Sequence, residues 1–325
     1  MRIGVLGTAR IVEIALLQPA LAVPGVEVAA VASRDRDRAE AYAAAHGIPK
    51  VHAGYEDLIG DDTLDAVYVP VPASLHSSWS IAALEAGRDV LCEKPFAANS
   101  AAATAMVSCA ERTGRLLVEA FHWRYHPVAA RMIDLGRRIG RLLDAEARFH
   151  ASIPEDDIRF RLELAGGSFM DLGCYPVHQL RTVTGEEPAV VAASATVGPF
   201  GIDRTMEASL AFPSGLRARV SSSMVDADAR GVEGISFRLT GEEGELVVDN
   251  PMAPQYGHRI RARLADGTEV DESIESATTY EHQLRAFLRY SAREEAPLTG
   301  GADAVANMAV IDAVYEAAGL GARRA

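Results

Sequence analysis

Over roughly its first 120 residues the chain alternates between short, unbroken apolar runs and longer Ala-rich stretches of mixed polarity. The apolar runs are Ile3–Leu6, Val26–Ala32, Ala66–Val69, Val90–Cys92 and Leu116–Ala120, with a weaker one near Val51. Runs this short, with no polar face, suit strands buried on both sides. The intervening stretches Arg10–Leu17, Arg38–His46, Ser77–Ala86 and Ala101–Thr113 predict helices. Gly47, Gly87 and Gly114 follow the last three, where a left-handed residue ends a helix and releases the chain. Strand, helix, glycine, strand is the order of a parallel sheet covered by helices on both faces, an α/β domain.

After Trp123 the pattern changes. Helices are predicted near Val128–Arg138 and through Phe169–Val183. Strands follow at Val190–Val197, Met206–Phe212, Leu216–Met224, Ile235–Thr240, Leu246–Val248 and Arg259–Leu264. Turn signals such as Pro213-Ser214-Gly215 separate them. Helices over Thr279–Glu294 and Gly301–Ala318 close the chain. The expectation is an α+β domain with a large, mostly antiparallel open sheet, and a division into residues 1–122 and 123–325.

Charge narrows the function. Acidic residues number 45 and basic ones 32, for a net charge of −13. The longest basic cluster, Arg34-Asp35-Arg36-Asp37-Arg38, is interleaved with acid, so nucleic acid is not an expected partner. No apolar run reaches the ~18 residues a membrane span needs. Met1 leads almost directly into an apolar strand, which leaves no room for a signal peptide, and a cytoplasmic location is expected. Cys92, Cys109 and Cys174 are scattered, which argues against both a disulfide framework and a zinc cluster; no metal is expected.

Several motifs carry chemistry. Val5-Leu6 runs into Gly7-Thr8-Ala9-Arg10-Ile11, a strand turning into a helix start. Free amides and the helix dipole there favour a pyrophosphate. Only Gly7 keeps the register of the three-glycine dinucleotide fingerprint; Ala9 and Val12 hold the other two places. A plain strand–turn–helix reads the same. At the end of the second strand stand Ser33 and Arg34, where NAD-selective folds place an acid. A hydroxyl and a guanidinium suit a 2′-phosphate. The alternative is a solvated turn with Ser33 or Asp35 capping the next helix.

Pro70 and Pro72 frame a rigid loop at a carboxyl strand end, followed by Leu75 and His76. His76 either meets a ligand or packs and caps. Cys92-Glu93-Lys94-Pro95 delivers a charged pair to the same edge. Lys94 suits proton donation or carbonyl polarisation, and a surface salt bridge is the alternative. In Gly166-Gly167-Ser168-Phe169-Met170-Asp171-Leu172-Gly173-Cys174-Tyr175-Pro176-Val177-His178, the residues Asp171, Tyr175 and His178 recur at +4 and +3 and share one helix face, suited to proton transfer and hydroxyl recognition; a buried polar helix with local hydrogen bonds is the alternative. Arg124, His126, Arg159, Phe160 and His258 are further candidates for the substrate end, with Arg159 otherwise a solvated charge.

Taken together, Glu93-Lys94-Pro95, Glu119-Ala120-Phe121-His122-Trp123-Arg124-Tyr125-His126-Pro127 and Gly166-Gly167 through Tyr175 resemble the glucose–fructose oxidoreductase/inositol dehydrogenase/MocA family. The wording is similar to its branch of dihydrodiol and NADP-dependent aldose dehydrogenases. The resemblance implies a Rossmann domain that binds NADP(H) in preference to NAD(H). It also implies a substrate domain, and pairing of subunits as a homodimer or homotetramer through the open sheet. It makes Lys94 the essential lysine and Asp171 the conserved acid. Tyr175 stands where many members have a histidine. The chain departs at Ala73, where asparagine is usual, and at Ala9 and Val12.

The expected reaction moves a hydride between nicotinamide and a hydroxyl or carbonyl carbon of a sugar, polyol or cyclic diol, in a cleft between domains. Tyr175 or Lys94 handles the hydroxyl proton. A free phenol titrates near ~10, so it needs a nearby cation to serve at neutral pH. Rival readings are an NADP-sensing regulatory protein of the same fold, an NAD-dependent glycoside-cleaving enzyme, and a ketoreductase of deoxysugars.

Overall fold

Doubly buried strands leave one solution for the first stretch, and the computed structural model adopts it. The structure describes residues 1–225 and 234–324. β1 (Arg2–Leu6), β2 (Glu27–Ala32), β3 (Lys50–His52), β4 (Ala66–Val69), β5 (Asp89–Cys92) and β6 (Leu117–Glu119) form one parallel sheet in the order β3-β2-β1-β4-β5-β6. β4 and β5 are buried at every position. The connecting helices are α1 (Gln18–Ala22), α2 (Arg36–His46), α3 (Tyr55–Ile59), α4 (His76–Glu85) and α5 (Ser100–Thr113). The strand order reverses between β1 and β4, so the connections that follow these two parallel strands run to opposite sides. Folds of this kind bind ligands at that crevice, outside the carboxyl ends of the strands.

Two details differ from the sequence reading. The first helix does not stop at Leu17. A π turn at Glu13–Leu17 continues into α1, because Pro19 falls within its first turn, where no amide hydrogen is needed. The short α3 has too few residues to show a period.

The chain divides into two units, Met1–Tyr125 with Tyr280–Val305, and His126–Thr279 with Ala306–Arg324. A cut into 1–122 and 123–325 therefore misses a return. In α8 (Thr279–Ser291) the stripe Tyr280, Leu284, Phe287 and Tyr290 is buried in the same core as Val5, Leu16, Leu91 and Val118. Just beyond it, Ser291 Oγ and Arg293 Nη2 donate to Asp89 at 2.8 and 3.2 Å. The last helix, α9 (Gly301–Ala317), gives its first residues to the first unit and the rest to the second.

The second unit is built on an eight-stranded sheet. Its strands are β7 (Leu142–His150), β8 (Ala189–Val197), β9 (Asp203–Ala211), β10 (Arg217–Ser223), β11 (Ile235–Gly241), β12 (Glu245–Asp249), β13 (Arg259–Arg263) and β14 (Glu269–Glu272). The order is β14-β13-β12-β11-β7-β10-β9-β8, antiparallel except for the parallel pair β7–β10. Ala145, Ala147, Phe149, Val220, Phe237 and Leu239 point to the buried face. Against that face pack α6 (Pro127–Gly136) and α7 (Cys174–Thr184). The opposite face alternates charge, with Glu146, Arg148, Glu207, Arg219 and Arg238. β7 and β14 were not among the predicted strands: the inward side of β7 is mostly alanine, and β14 is an acidic edge.

Candidate active site

The carboxyl edge of the parallel sheet gathers the motifs of the first unit. Gly7 takes φ +96°, a conformation that side chains rarely adopt, and its amide donates to Ala32 O at 2.7 Å. A Cβ at Gly7 would meet only the Tyr55 hydroxyl, at 3.3 Å. Tyr55 stands edge-on to Trp79, with ring centroids 4.9 Å apart. Ala9 and Arg10 follow in the turn, and Val12 packs fully buried behind it.

The end of β2 sorts its polar residues. Ser33 Oγ accepts from the Asp35 amide at 3.3 Å, and Asp35 Oδ1 accepts from the Arg38 amide at 3.1 Å, capping α2. Arg36 turns away to Glu40. Arg34 is exposed. Arg38 reaches back and donates from Nη2 to Thr8 O at 3.2 Å. Burial pushes the Tyr55 phenol up, and the charges of Arg34 and Arg38 pull the other way. Two guanidiniums thus flank the Gly7-Thr8 turn. Arg38 was missed in the sequence, although it is the last member of the basic cluster there. With Asp35 as the cap, its position in the first turn of α2 is the signal that could have found it.

At the end of β5, Tyr68 Oη donates to Glu93 Oε1 at 2.6 Å, and the Lys94 amide donates to Glu93 Oε2 at 3.2 Å. Glu93 is therefore an anchor for the turn, which has a cis Lys94–Pro95 bond. His76 holds it from the other side. Its Nδ1 lies 2.9 Å from Pro95 O and its Nε2 2.7 Å from Val71 O, and it is fully buried. Both ring nitrogens face backbone, so His76 ties the Pro70–Pro72 loop to the Lys94 turn. Burial, with a smaller push from Lys94, brings its pKa down to about 4. His122 is buried too, stacked at 4.2 Å on Tyr280, with its pKa down to about 3 through burial and Lys94. Lys94 thus has a neutral imidazole beside it that sequence reading did not single out. Arg124 lies in this unit, its charge weakened by burial and supported by Tyr125 and Asp303.

In the second unit the glycine pair makes a tight crossing. A Cβ on Gly166 would fall 2.3 Å from Arg159 O. Gly167 takes φ +133°, and its Cβ would fall 2.1 Å from Asp203 Oδ1. The chain then enters a π turn at Phe169–Gly173 and continues as α7. Asp171 lies in the wider π turn, a feature that often marks functional sites. Tyr175 and His178 follow in α7, both buried. Tyr175 is edge-on to Phe149 at 5.6 Å. Arg159 donates from Nε to Asp171 Oδ2 at 2.6 Å and from Nη1 to Asp157 Oδ1 at 2.9 Å. These two carboxylates hold the guanidinium firmly charged. Arg159 is therefore paired, not simply solvated. Phe160 lies under Arg204, 6.0 Å from its guanidinium carbon.

His126 and His258 fall elsewhere in this unit. They line a cavity of about 330 Å³ with Gln255, Ser273, Glu275 and Ser276. His258 Nε2 accepts from the Ile274 amide at 2.9 Å, so the hydrogen sits on Nδ1, 3.0 Å from Pro254 O. His126 Nδ1 accepts from the Val128 amide at 3.2 Å and caps α6. Among the described residues, no group of three His, Cys, Asp or Glu side chains is placed to hold a metal, and no helix is long and apolar enough to cross a membrane.

A sheet crevice with an open glycine turn and two guanidiniums at the neighbouring strand end is fitted to an anionic dinucleotide. That marks the first unit as the nucleotide domain of an NAD(P)-linked oxidoreductase. Residues 1–121 match the model of the oxidoreductase family with a NAD-binding Rossmann fold, and residues 128–247 match the GFO/IDH/MocA C-terminal domain. The chain belongs to the Gfo/Idh/MocA family of oxidoreductases.

It is 37% identical to D-xylose 1-dehydrogenase (NADP(+)) 2 of Haloferax volcanii, over 99% of this chain and 98% of the relative. Among solved structures, a mutant of a 3-ketoreductase from Actinomadura kijaniata, in complex with TDP-benzene and NADP, superposes with a TM-score of 0.89. It has 28% identity and covers 100% of this chain and 98% of that one. An aldose-aldose oxidoreductase from Caulobacter crescentus complexed with glycerol gives 0.88 at 27% identity, covering 98% and 97%.

Proposed function

We propose that the protein is an NADP(H)-dependent dehydrogenase or reductase acting on a hydroxyl or carbonyl carbon of a sugar, polyol or cyclic diol. The observation that carries this is the seating of Lys94. It stands at the carboxyl end of β5, on a turn held by Glu93 and His76 at the sheet edge where such folds bind ligands. The names of the relatives, a xylose dehydrogenase and a ketoreductase bound to NADP, support the same reading.

The residues present fit the dinucleotide. The turn of Gly7, Thr8, Ala9, Arg10 and Ile11 would take the pyrophosphate. Arg34 and Arg38 would take the 2′-phosphate, with Ser33 at the ribose. Pro70, Pro72 and Leu75 would wall the nicotinamide side. When bound, the nicotinamide supplies or accepts the hydride. Lys94 polarises the substrate oxygen. Tyr175 gives or takes the hydroxyl proton, its phenol made competent by a cation. Asp171, fixed by Arg159, orients a substrate hydroxyl, and His178 continues the same helix face. Arg124, His126, Phe160 and His258 remain candidates for the distal end of the substrate.

The charged face of the eight-stranded sheet is the surface we assign to pairing of identical subunits. Its alternating Glu146, Glu207, Arg219 and Arg238 would let two copies match opposite charges, and sedimentation at low and high salt tests that.

The deciding experiment is a panel of aldoses, keto-sugars, polyols and aromatic trans-diols, run with each nicotinamide cofactor in both directions. Lys94→Met and Tyr175→Phe are then measured on the best substrate. NADPH should still bind both variants, by fluorescence titration, while turnover falls by about 10²-fold or more. Near wild-type turnover in both would overturn the assignment.

A further inference from the structure

Asp203 takes no part in the chemistry above, yet its carboxylate accepts four hydrogen bonds within the second unit. It lies fully buried at the start of β9. Its Oδ2 accepts from the Phe169 amide at 2.8 Å and from Ser168 Oγ at 3.0 Å. Its Oδ1 accepts from Tyr315 Oη at 3.0 Å and from Arg323 Nη2 at 2.5 Å. Tyr315 Oη in turn accepts from the Met170 amide at 3.2 Å. Arg323 also donates from Nε to Gly166 O at 3.1 Å, and its guanidinium lies 4.1 Å over the Tyr315 ring.

The first amides of a helix have no partner within it and must find one elsewhere. Here Ser168 makes no capping bond from its side chain to the turn it precedes. The amides of Phe169 and Met170 are instead taken by side chains from β9 and α9. Asp171 is the next residue, its own amide donating to Gly167 O at 3.1 Å. Gly167 has no room for any side chain, because Asp203 Oδ1 and Tyr315 Oη occupy the space where a Cβ would go.

We propose that Asp203, Tyr315 and Arg323 are positioning residues, which fix the opening turn of the helix and thereby aim Asp171 and Tyr175. The inference rests on the reading of those two as reactive groups. A buried carboxylate needs its cation: burial raises the Asp203 pKa and Arg323 opposes that rise. Loss of Arg323 or of the Tyr315 hydroxyl frees the turn to shift. A displacement of about 1 Å at a reacting group costs on the order of 10²-fold in rate.

The test uses the full chain. Tyr315→Phe keeps the ring and removes only the hydroxyl; Arg323→Ala removes the cation, and Arg323→Lys returns a charge without the fork. We expect kcat per folded molecule to fall tenfold or more in Tyr315→Phe and Arg323→Ala, with KM and NADPH binding within about twofold. Arg323→Lys should recover part of the loss. If Arg323→Ala fails to fold, Tyr315→Phe alone decides. A purely structural role would lower the melting temperature and leave kcat per folded molecule at the wild-type value, and that result overturns the inference. Asp171→Asn and Tyr175→Phe run alongside. If those two keep full turnover, the reading of the reactive groups falls; if they lose it while Tyr315→Phe and Arg323→Ala keep it, the positioning inference alone falls.

Discussion

Arg159 Nε donates to Asp171 Oδ2 at 2.6 Å across twelve residues of chain, over the crossing that Gly166 makes possible. The bond fixes the direction of the Asp171 carboxylate. Asp171→Asn keeps the shape and removes the charge. Turnover is expected to fall by about 10²-fold, the order of loss that misplacing a reacting group brings. Arg159→Ala should lower kcat by less than Asp171→Asn does, because it frees the carboxylate without neutralising it. Steady-state kinetics on the best substrate of the panel checks both, and an Asp171→Asn variant with wild-type kcat would remove this residue from the site.

In the proposed function Arg34 and Arg38 would share the recognition of the 2′-phosphate. A charge-assisted hydrogen bond contributes about 1.5–3 kcal/mol, which is roughly 10- to 100-fold in affinity. Arg34→Ala and Arg38→Ala should each lower the preference for NADP over NAD by about that factor. Arg38→Ala should also weaken NAD a little, since Arg38 holds Thr8 O. Ratios of kcat/KM with the two cofactors measure this. An unchanged ratio in the double variant would mean that another group reads the phosphate.

His122 stays neutral in the folded protein down to about pH 3, through burial and the neighbouring Lys94. In the unfolded chain it takes up a proton near pH ~6.5. Above that pH the group adds nothing to the pH dependence. As pH falls below it, the unfolded state binds a proton that the folded state refuses. Stability is therefore lost progressively between about pH 6.5 and pH 3, by at most about 1.4 kcal/mol per pH unit for this one group. His122→Phe keeps a ring against Tyr280 and should flatten the acid limb by about one proton. Urea denaturation between pH 4.5 and 7.5 reads the slope, and an equal slope in both proteins would place the acid sensitivity elsewhere.

Much of this arrangement was legible in the sequence, for identifiable reasons. β4 and β5 announce themselves because strands covered on both faces are nearly all apolar, Ala66–Val69 in one and Val90–Cys92 after Asp89 in the other. α2 and α5 end where expected because Gly47 and Gly114 take left-handed φ values of 70° and 65°. The Lys94 turn and the run from Gly166 to His178 were found by residue type. What could not be read depends on partners distant in sequence. The inward side of β7 is Ala145, Ala147 and Phe149, weak as a strand signal until Phe237 and Leu239 pack beside it. The stripe on α8 predicts burial but does not say in which core. Arg38 reaches Thr8 only because Asp35 starts α2 where it does. The capture of the Phe169 and Met170 amides needs Asp203, Tyr315 and Arg323, none of which is near in the chain.

The return of α8 to the first core bears on how this protein can be cut. A fragment ending near residue 122 would carry every motif we assign to the nucleotide, yet leave bare the apolar patch that Tyr280, Leu284, Phe287 and Tyr290 cover. Such a fragment is expected to aggregate or stay partly molten when expressed alone. A version with residues 280–305 tethered back on by a flexible linker should be well behaved. Recombination within the family faces the same rule: exchanging the middle of the chain keeps the first core whole but parts Asp203 from Tyr315 and Arg323, whereas joining one relative's front half to another's rear half splits the first.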